Sequence, residues 1–262
     1  MVKPNDIKVV LPCLFDNTTE PLWMMLTTCT RFGIDPYLYG INETYQGWVH
    51  LKIDLLGMTA RKVAADGYSH LLYVDARDAW FLTGLDEVAD KYNAMGCPPV
   101  MLSAQHRAFC GGYGKWYNKF PWDTSLAFPY IGTPGILAEA SKLADIFEYM
   151  LANYPFGEVE DSLPDDDPAW WIEYMLEHPG EVVFDHQCDI FANVGDVDDD
   201  DWEVVDGRAH IKLTDSWPCT IHYNGGASHW KYGKWEALEP QWRRFGYTED
   251  PPWLSEYLEG RE

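Results

Sequence analysis

The segment Asp75-Ala76-Arg77-Asp78 follows directly on the apolar run His70-Leu71-Leu72-Tyr73-Val74, so two carboxylates stand where a buried strand emerges. Spaced three positions apart, both can be aimed at one cation. Carboxylate oxygens suit Mg2+ or Mn2+, which bind through one or two carboxylates while bridging substrate phosphates. The plainer reading is structural: Asp75 closes the strand exit and Asp78 pairs with Arg77 or Arg107. A second group is Asp165-Asp166-Asp167, ahead of Pro168-Ala169-Trp170-Trp171. Asp167 reads as an N-cap and Pro168 as the first helical residue, and negative charge is favourable at that end of a helix. One carboxylate is enough for the cap, which leaves Asp165 and Asp166 either to face a substrate or to form a solvated acidic turn. Third, His222 ends the run Pro218-Cys219-Thr220-Ile221 and precedes Tyr223-Asn224-Gly225-Gly226. Small residues there let backbone N–H groups approach a phosphate. A lone histidine at a strand end is otherwise a hydrogen-bonded structural group.

These groups need elements to hold them, and the first half supplies a β-α-β-α-β rhythm. Strands read over 7–15, 35–40 and 70–74, with helices over 20–32 and 51–66, the latter stopped by Gly67. Such a rhythm argues for a mainly parallel sheet with flanking helices, in which ligands sit beyond the carboxyl ends of the strands. Further strands read over 100–104, 181–185, 188–192 and 218–222. Pro129 to Gly135 is expected to lead into a helix reaching Asn153 with Thr133 as its N-cap, and a helix is expected from Asp167 to His178. The stretch 105–128 is long and aromatic, and Phe109, Tyr113, Trp116, Tyr117 and Trp122 read as a lid, an acceptor platform or satellite core. The tail from Trp230 reads as an arm or short helix over the same domain. The run Asp198 to Asp201 lacks the Asp-x-Asp-x-Asp-Gly pattern of a calcium loop and reads as a solvated turn.

Composition narrows the partners. The chain has 262 residues, 47% hydrophobic and 15% aromatic, enough for one large α/β domain or two small ones. Its 19 Lys and Arg against 42 Asp and Glu give a formal charge of -23, which repels polyanions and argues against long nucleic acid as the main partner. No signal-like leader and no run of about 18 apolar residues is visible, so a soluble, cytoplasmic protein is expected. The six cysteines are scattered without metal-like spacing and read as buried thiols.

Taken in order, these segments resemble the glycosyltransferase domain of procollagen lysyl hydroxylases, the collagen-type glycosyltransferases and their viral or bacterial stand-alone relatives. The likeness runs from about residue 7 to residue 235. It rests on Lys52, Leu72-Tyr73-Val74-Asp75-Ala76-Arg77-Asp78, Leu102-Ser103-Ala104, Tyr130 to Gly135, Asp165-Asp166-Asp167, Phe184-Asp185 to Ile190-Phe191, and Pro218 to Gly225. The resemblance implies a glycosyltransferase A (Rossmann-like) fold, with residues 1–235 as the catalytic domain and 236–262 as a C-terminal arm. It implies a hexosyl- or pentosyltransferase that moves a sugar from a nucleotide-sugar donor, UDP-linked, with Mn2+ or Mg2+. Carried over position by position, Asp75, Asp78 and His222 would hold the metal. Lys52, Val74, Asn224, Gly225 and Lys231 would lie along the nucleotide, and Asp166, with Asp165 as substitute, would be catalytic. The chain departs from the family where Ile131-Gly132-Thr133-Pro134-Gly135 replaces Leu-Asn-Ser-Gly-Gly, and where Ser228 and His229 precede Lys231. The acceptor hydroxyl could belong to a small molecule, a polypeptide or a modified nucleobase, with no membrane involved.

Two other classes stay open on these residues. One is a non-catalytic carbohydrate-binding protein whose tryptophans stack on sugars, and the other is a nucleotidyltransferase attacking the α-phosphate on the same fold. Should the acidic turn be only a cap, Asp185 or Asp189 is the next place to seek the catalytic group.

Overall fold

The computed structural model describes residues 1–13, 22–41, 43, 46–108, 114–154, 163–223 and 235–250. In chain order the strands are β1 (Ile7–Pro12), β2 (Tyr37–Tyr39), β3 (His70–Val74), β4 (Ala79–Phe81), β5 (Val100–Gln105), β6 (Tyr130–Glu139), β7 (Val183–Asp185), β8 (Phe191–Asn193), β9 (Trp202–Val205), β10 (Arg208–Ile211) and β11 (Thr220–His222). The helices are α1 (Trp23–Arg31), α2 (Leu56–Ala65), α3 (Leu85–Ala94), α4 (Gly114–Tyr117), α5 (Ala140–Asn153), α6 (Asp167–Glu177) and α7 (Trp235–Arg244). A π-helical turn, Val49–Leu55, leads into α2.

The central sheet has six strands in the order β2-β1-β3-β6-β5-β7. β1 runs parallel to β2 and β3, β5 runs parallel to β7, and β6 alone opposes its neighbours. The strands β1, β3 and β5 are nearly continuous apolar runs buried on both faces, as a helix-covered parallel sheet requires. Period-two alternation sorts their side chains. Val10, Leu71, Tyr73, Leu102 and Ile136 face a core with Phe147 of α5 and Trp170 and Trp171 of α6. Val9, Leu11, Leu72, Val74, Met101 and Leu137 face Met25 and Cys29 of α1 and Val88 and Tyr92 of α3. A second sheet, β4-β11-β8, shares a third cluster with the β9-β10 hairpin, in which Trp80, Trp202, Trp242 and Phe245 pack together.

The principal difference from the sequence reading lies at residues 130–139. The expected helix entry with Thr133 as N-cap is a strand, and α5 begins only at Ala140 after Glu139. Ile131, Ile136, Leu137 and Ala138 fill the core on both faces, and that burial outweighs the local helix-start signal of Thr133-Pro134. The proline is accommodated because β6 bulges. Against β5 the pairing passes from Leu102↔Ile136 to Ser103↔Gly132, leaving Thr133, Pro134 and Gly135 opposite no residue of β5. On the other side the segment stays in register, with Val74↔Gly135 and the Asp75 N–H donating to the Pro134 carbonyl at 2.8 Å. At Gly135 a Cβ would lie 2.3 Å from the Phe191 ring, so no larger residue fits.

Among the described residues Cys13, Cys29, Cys97, Cys188 and Cys219 are free thiols, and no helix is long and apolar enough to cross a membrane. Trp116 and Tyr117 are buried in the first core, and Phe120 and Trp122 pack partly buried against it. Phe109 and Tyr113 lie outside the described residues.

Candidate active site

Val74 ends β3 with its side chain in the core, and the next residue, Asp75, turns back toward the sheet. Its Oδ1 accepts a hydrogen bond from Tyr73 Oη and stands 3.0 Å from Lys52 Nζ. The π-helical turn places Lys52 with its long side chain pointing inward. Such turns recur at functional sites because they widen the helix locally and redirect a side chain. The ammonium also donates to the Thr133 carbonyl at 3.1 Å and lies 3.6 Å from Asp167 Oδ2 and 4.5 Å from the centre of the Tyr73 ring. The bulge in β6 is what brings the Thr133 carbonyl there. Lys52 is thus an internal counter-charge, and any contact it made with a nucleotide would replace one of these partners.

The acidic turn is arranged differently from the expected cap. Asp166, not Asp167, is the residue preceding α6, and its side chain makes no capping hydrogen bond. Asp167 is the first helical residue, buried and turned toward Lys52 and Thr133. The attraction of the buried ammonium replaces the backbone cap as the stronger interaction. Asp165 does cap, but on another helix: its Oδ1 accepts from the Val49 N–H at 2.9 Å, at the start of the π-helical turn. Its carboxylate fills the space a side chain would take at Gly47, whose φ of +114° also favours glycine.

Asp166 is 6% exposed, and its Oδ2 has no hydrogen-bond partner among the described residues. Burial first, and then the neighbouring carboxylates of Asp167 and Asp165, push its carboxyl up to about 8, against the pull of Lys52. Burial also raises Asp167, which Lys52 and the Thr133 side chain oppose. A buried carboxyl poised near neutral pH at the start of a helix is suited to proton transfer.

The third group forms across the second sheet. β11 runs antiparallel to β4 with His222 opposite Ala79, which sets His222 Nε2 3.0 Å from Asp78 Oδ1. The Asp78 carbonyl also accepts from the Tyr223 N–H at 2.8 Å, tying the residue after β11 to the segment between β3 and β4. Burial works against a charged His222, yet Asp78 beside it and Asp75 further off hold the imidazole above its ordinary value. On its other side, His222 Nδ1 lies 2.9 Å from Asn193 Oδ1.

Of the residues expected at a metal, Asp78 and His222 meet, whereas Asp75 is engaged by Lys52 and Tyr73. No group of three or more His, Cys, Asp or Glu side chains converges among the described residues. The pair nonetheless fits a divalent ion that draws its remaining ligands from phosphate: one imidazole nitrogen and one carboxylate oxygen share an edge, and the far ring nitrogen is already tied down. Asn224, Gly225 and Lys231 lie outside the described residues. Asp185 is a structural residue, buried and accepting from the N–H groups of Asp189, Ile190 and Phe191 at 2.9, 2.7 and 2.8 Å. Burial raises its carboxyl to about 6 despite those three donors. Arg107 pairs with Asp198 and not with Asp78. Three contributors were not legible as such: Asn193, Thr133 and Tyr73. The only signal for Asn193 is a polar residue closing the apolar run Ile190-Phe191-Ala192.

No family model and no curated protein matches the chain. Among solved structures it is similar to a glycosyltransferase involved in the glycosylation of the major capsid of the virus PBCV-1. The superposition covers 89% of this chain and 98% of that one, with a TM-score of 0.54 at 12% identity. The fold is therefore of glycosyltransferase A type, a mainly parallel sheet with flanking helices. Asp75, Asp78 and the acidic turn stand beyond the carboxyl ends of the parallel strands of that sheet or beside its β6 bulge.

Proposed function

We propose that the chain is a glycosyltransferase that moves a sugar from a nucleoside-diphosphate sugar, UDP-linked, to an acceptor hydroxyl. The observation that carries this reading is the Asp78–His222 pair, set beside the β3 exit on a glycosyltransferase-like fold. The likeness to the procollagen lysyl hydroxylase and collagen-type group belongs to the same reading, and so does dependence on Mn2+ or Mg2+. Asp78 and His222 would hold the ion, with Asp75 beside them. When bound, the ion neutralises charge on the leaving diphosphate.

The chain's own groups then divide the work. Asn224 and Gly225, outside the described residues, would lie along the diphosphate. In its ionised form Asp166 takes the proton of the acceptor hydroxyl, a role open to it because Asp165 is committed to Val49 and Asp167 to Lys52. Lys52 keeps Asp75 and Asp167 in place and limits the excess of negative charge in a site rich in carboxylates. With a surface at -23, the acceptor is a small molecule or a polypeptide in preference to a long polyanion.

The test is to incubate the protein with a panel of nucleotide sugars and Mn2+, and to assay release of the nucleoside diphosphate. Release from one donor, abolished by chelator, is the expected result. Release of inorganic diphosphate with a nucleotidyl adduct would replace this reading with nucleotidyl transfer. Absence of any turnover or binding across the panel would favour a non-catalytic carbohydrate-binding protein.

A further inference from the structure

A network of buried side chains behind His222 is absorbed neither by the fold nor by the reaction. Asn193 lies directly beside His222 in the parallel pairing of β8 and β11. Its Nδ2 donates to the Ala104 carbonyl at 2.7 Å and to Ser103 Oγ at 3.1 Å. Ser103 Oγ in turn donates to the Gly132 carbonyl at 2.9 Å and accepts from the Gly135 N–H at 3.3 Å. The network therefore joins β5, the bulge of β6, β8 and β11. It is closely packed: a Cβ on Gly132 would come within 2.7 Å of Asn193 Nδ2 and 2.8 Å of Ser103 Oγ.

This packing decides which way the amide points. A carbonyl oxygen cannot face the Ala104 carbonyl at 2.7 Å, because two acceptors repel, so the nitrogen must point there. Oδ1 is then fixed toward His222, and at 2.9 Å it can only accept, so Nδ1 carries the proton. The remaining nitrogen, Nε2, is the one next to Asp78. Asp78 Oδ1, 3.0 Å from Nε2, can also only accept, so without an ion Nε2 too is protonated; a cation displaces that proton, and with Nδ1 held the ring then has a single lone pair to offer, on the side where the Asp78 carboxylate stands.

We propose that Asn193 is the positioning residue of the site: by holding the Nδ1 proton of His222 it directs the Nε2 lone pair to the cation shared with Asp78. The inference rests on the metal-dependent reading given under Proposed function. Asn193 touches neither the ion nor the substrate; it acts through His222. A purely structural role, as a staple between the two sheets, is the competing explanation. Asn193→Ala would lower stability under either one.

The experiment measures Mn2+ affinity by electron paramagnetic resonance, with Mn2+ alone as the probe, alongside melting temperature. The variants are Asn193→Ala, Asn193→Asp, Asp78→Ala and Thr220→Val. Asn193→Asp keeps an acceptor opposite Nδ1, with its other oxygen protonated so that it donates to the Ala104 carbonyl as the amide did. Thr220→Val removes a buried hydrogen bond to the Ile190 carbonyl on the same strand, without touching the ring. Asn193→Ala should weaken Mn2+ binding by about 10- to 100-fold, while Asn193→Asp and Thr220→Val stay within about threefold of the parent. Equal weakening in Asn193→Ala and Thr220→Val would reduce Asn193 to a staple and overturn the proposal. Unchanged affinity in Asn193→Ala, with binding lost in Asp78→Ala, would also overturn it and leave the metal-dependent reading intact. Unchanged affinity in Asp78→Ala would remove that reading itself. Should Asn193→Ala not fold, nitrogen-15 spectra of the unmodified protein with Zn2+, which binds imidazole more tightly than Mn2+ does, decide the matter. A proton on Nδ1 alone supports the proposal, and a proton on Nε2 overturns it.

Discussion

Lys52 Nζ stands 3.0 Å from Asp75 Oδ1, and the lysine is 1% exposed. With Asp167 on its other side, this one buried cation holds the exit of β3 and the start of α6 together. Breaking a buried pair leaves the opposite charge without compensation, at about 3–5 kcal/mol. Lys52→Met should therefore lower unfolding free energy by about that amount, measured in urea. Adding Asp167→Asn should cost less than the sum of the two single changes, since both remove the same contact. Full additivity would show that the two residues are not coupled.

The Asp166 carboxyl predicts opposite signatures in rate and stability. Proton transfer by a positioned group contributes about 10²- to 10⁴-fold, so Asp166→Asn should cut turnover by a factor in that range. Its folded-state value is raised to about 8, above that of the unfolded chain, so the folded state holds a proton the unfolded state releases. Asp166 thus favours folding most below the ordinary carboxylate value, and that contribution is lost as pH rises through about 8. Asp166→Asn should melt near the parent at pH 4 and progressively above it toward pH 8 and beyond. Melting curves across that range check it.

Asp165 should behave as a cap and not as a catalyst. Its hydrogen bond to the Val49 N–H is worth about 1 kcal/mol by analogy with other helix caps. Asp165→Ala should lower stability by about that much while turnover falls only severalfold. Gly47→Ala should cost at least as much, since its Cβ would lie 2.0 Å from an Asp165 carboxylate oxygen. Loss of turnover in Asp165→Ala matching that in Asp166→Asn would reverse the assignment.

Apolar periodicity sufficed where burial alone decides structure. The run His70-Leu71-Leu72-Tyr73-Val74 reads as a strand and is one, and the two aspartates after it do emerge at the sheet's carboxyl edge. Thr133-Pro134 misleads because its local chemistry is that of a helix start, while the burial of Ile131 and Ile136 that makes it a strand depends on distant partners. Helix α3 carries a local apolar stripe, Leu85, Val88, Ala89 and Tyr92, that the sequence reading does not use, whereas the hairpin β9-β10 is held at long range, through Arg208 to Glu87 of α3. Arg208 and Lys91 hold the Glu87 carboxyl down to about 2, overcoming the burial that would raise it. In the acidic turn, three adjacent aspartates carry no sign of which faces Lys52 and which faces Val49. That choice is made by residues more than a hundred positions away.

The β6 bulge gives a stability prediction independent of function. Gly135→Ala places a methyl 2.3 Å from the Phe191 ring, and overpacking of this kind costs about 1–3 kcal/mol. Chemical denaturation should show that loss. Pairing Gly135→Ala with Phe191→Leu should recover part of it, and failure to recover any would locate the strain in the backbone of the bulge instead.

The central claim is that a nucleoside diphosphate and a divalent ion bind together at Asp78 and His222. Calorimetric titration of UDP into the protein, with Mn2+ and with chelator, tests it most directly when Asp78→Ala is run in parallel. The account predicts binding by the parent protein in Mn2+ that is lost on chelation and in Asp78→Ala, which loses some stability with the pair to His222 but stays folded at the temperature of the titration. UDP binding of equal affinity in all these conditions, or none in any of them, would contradict it.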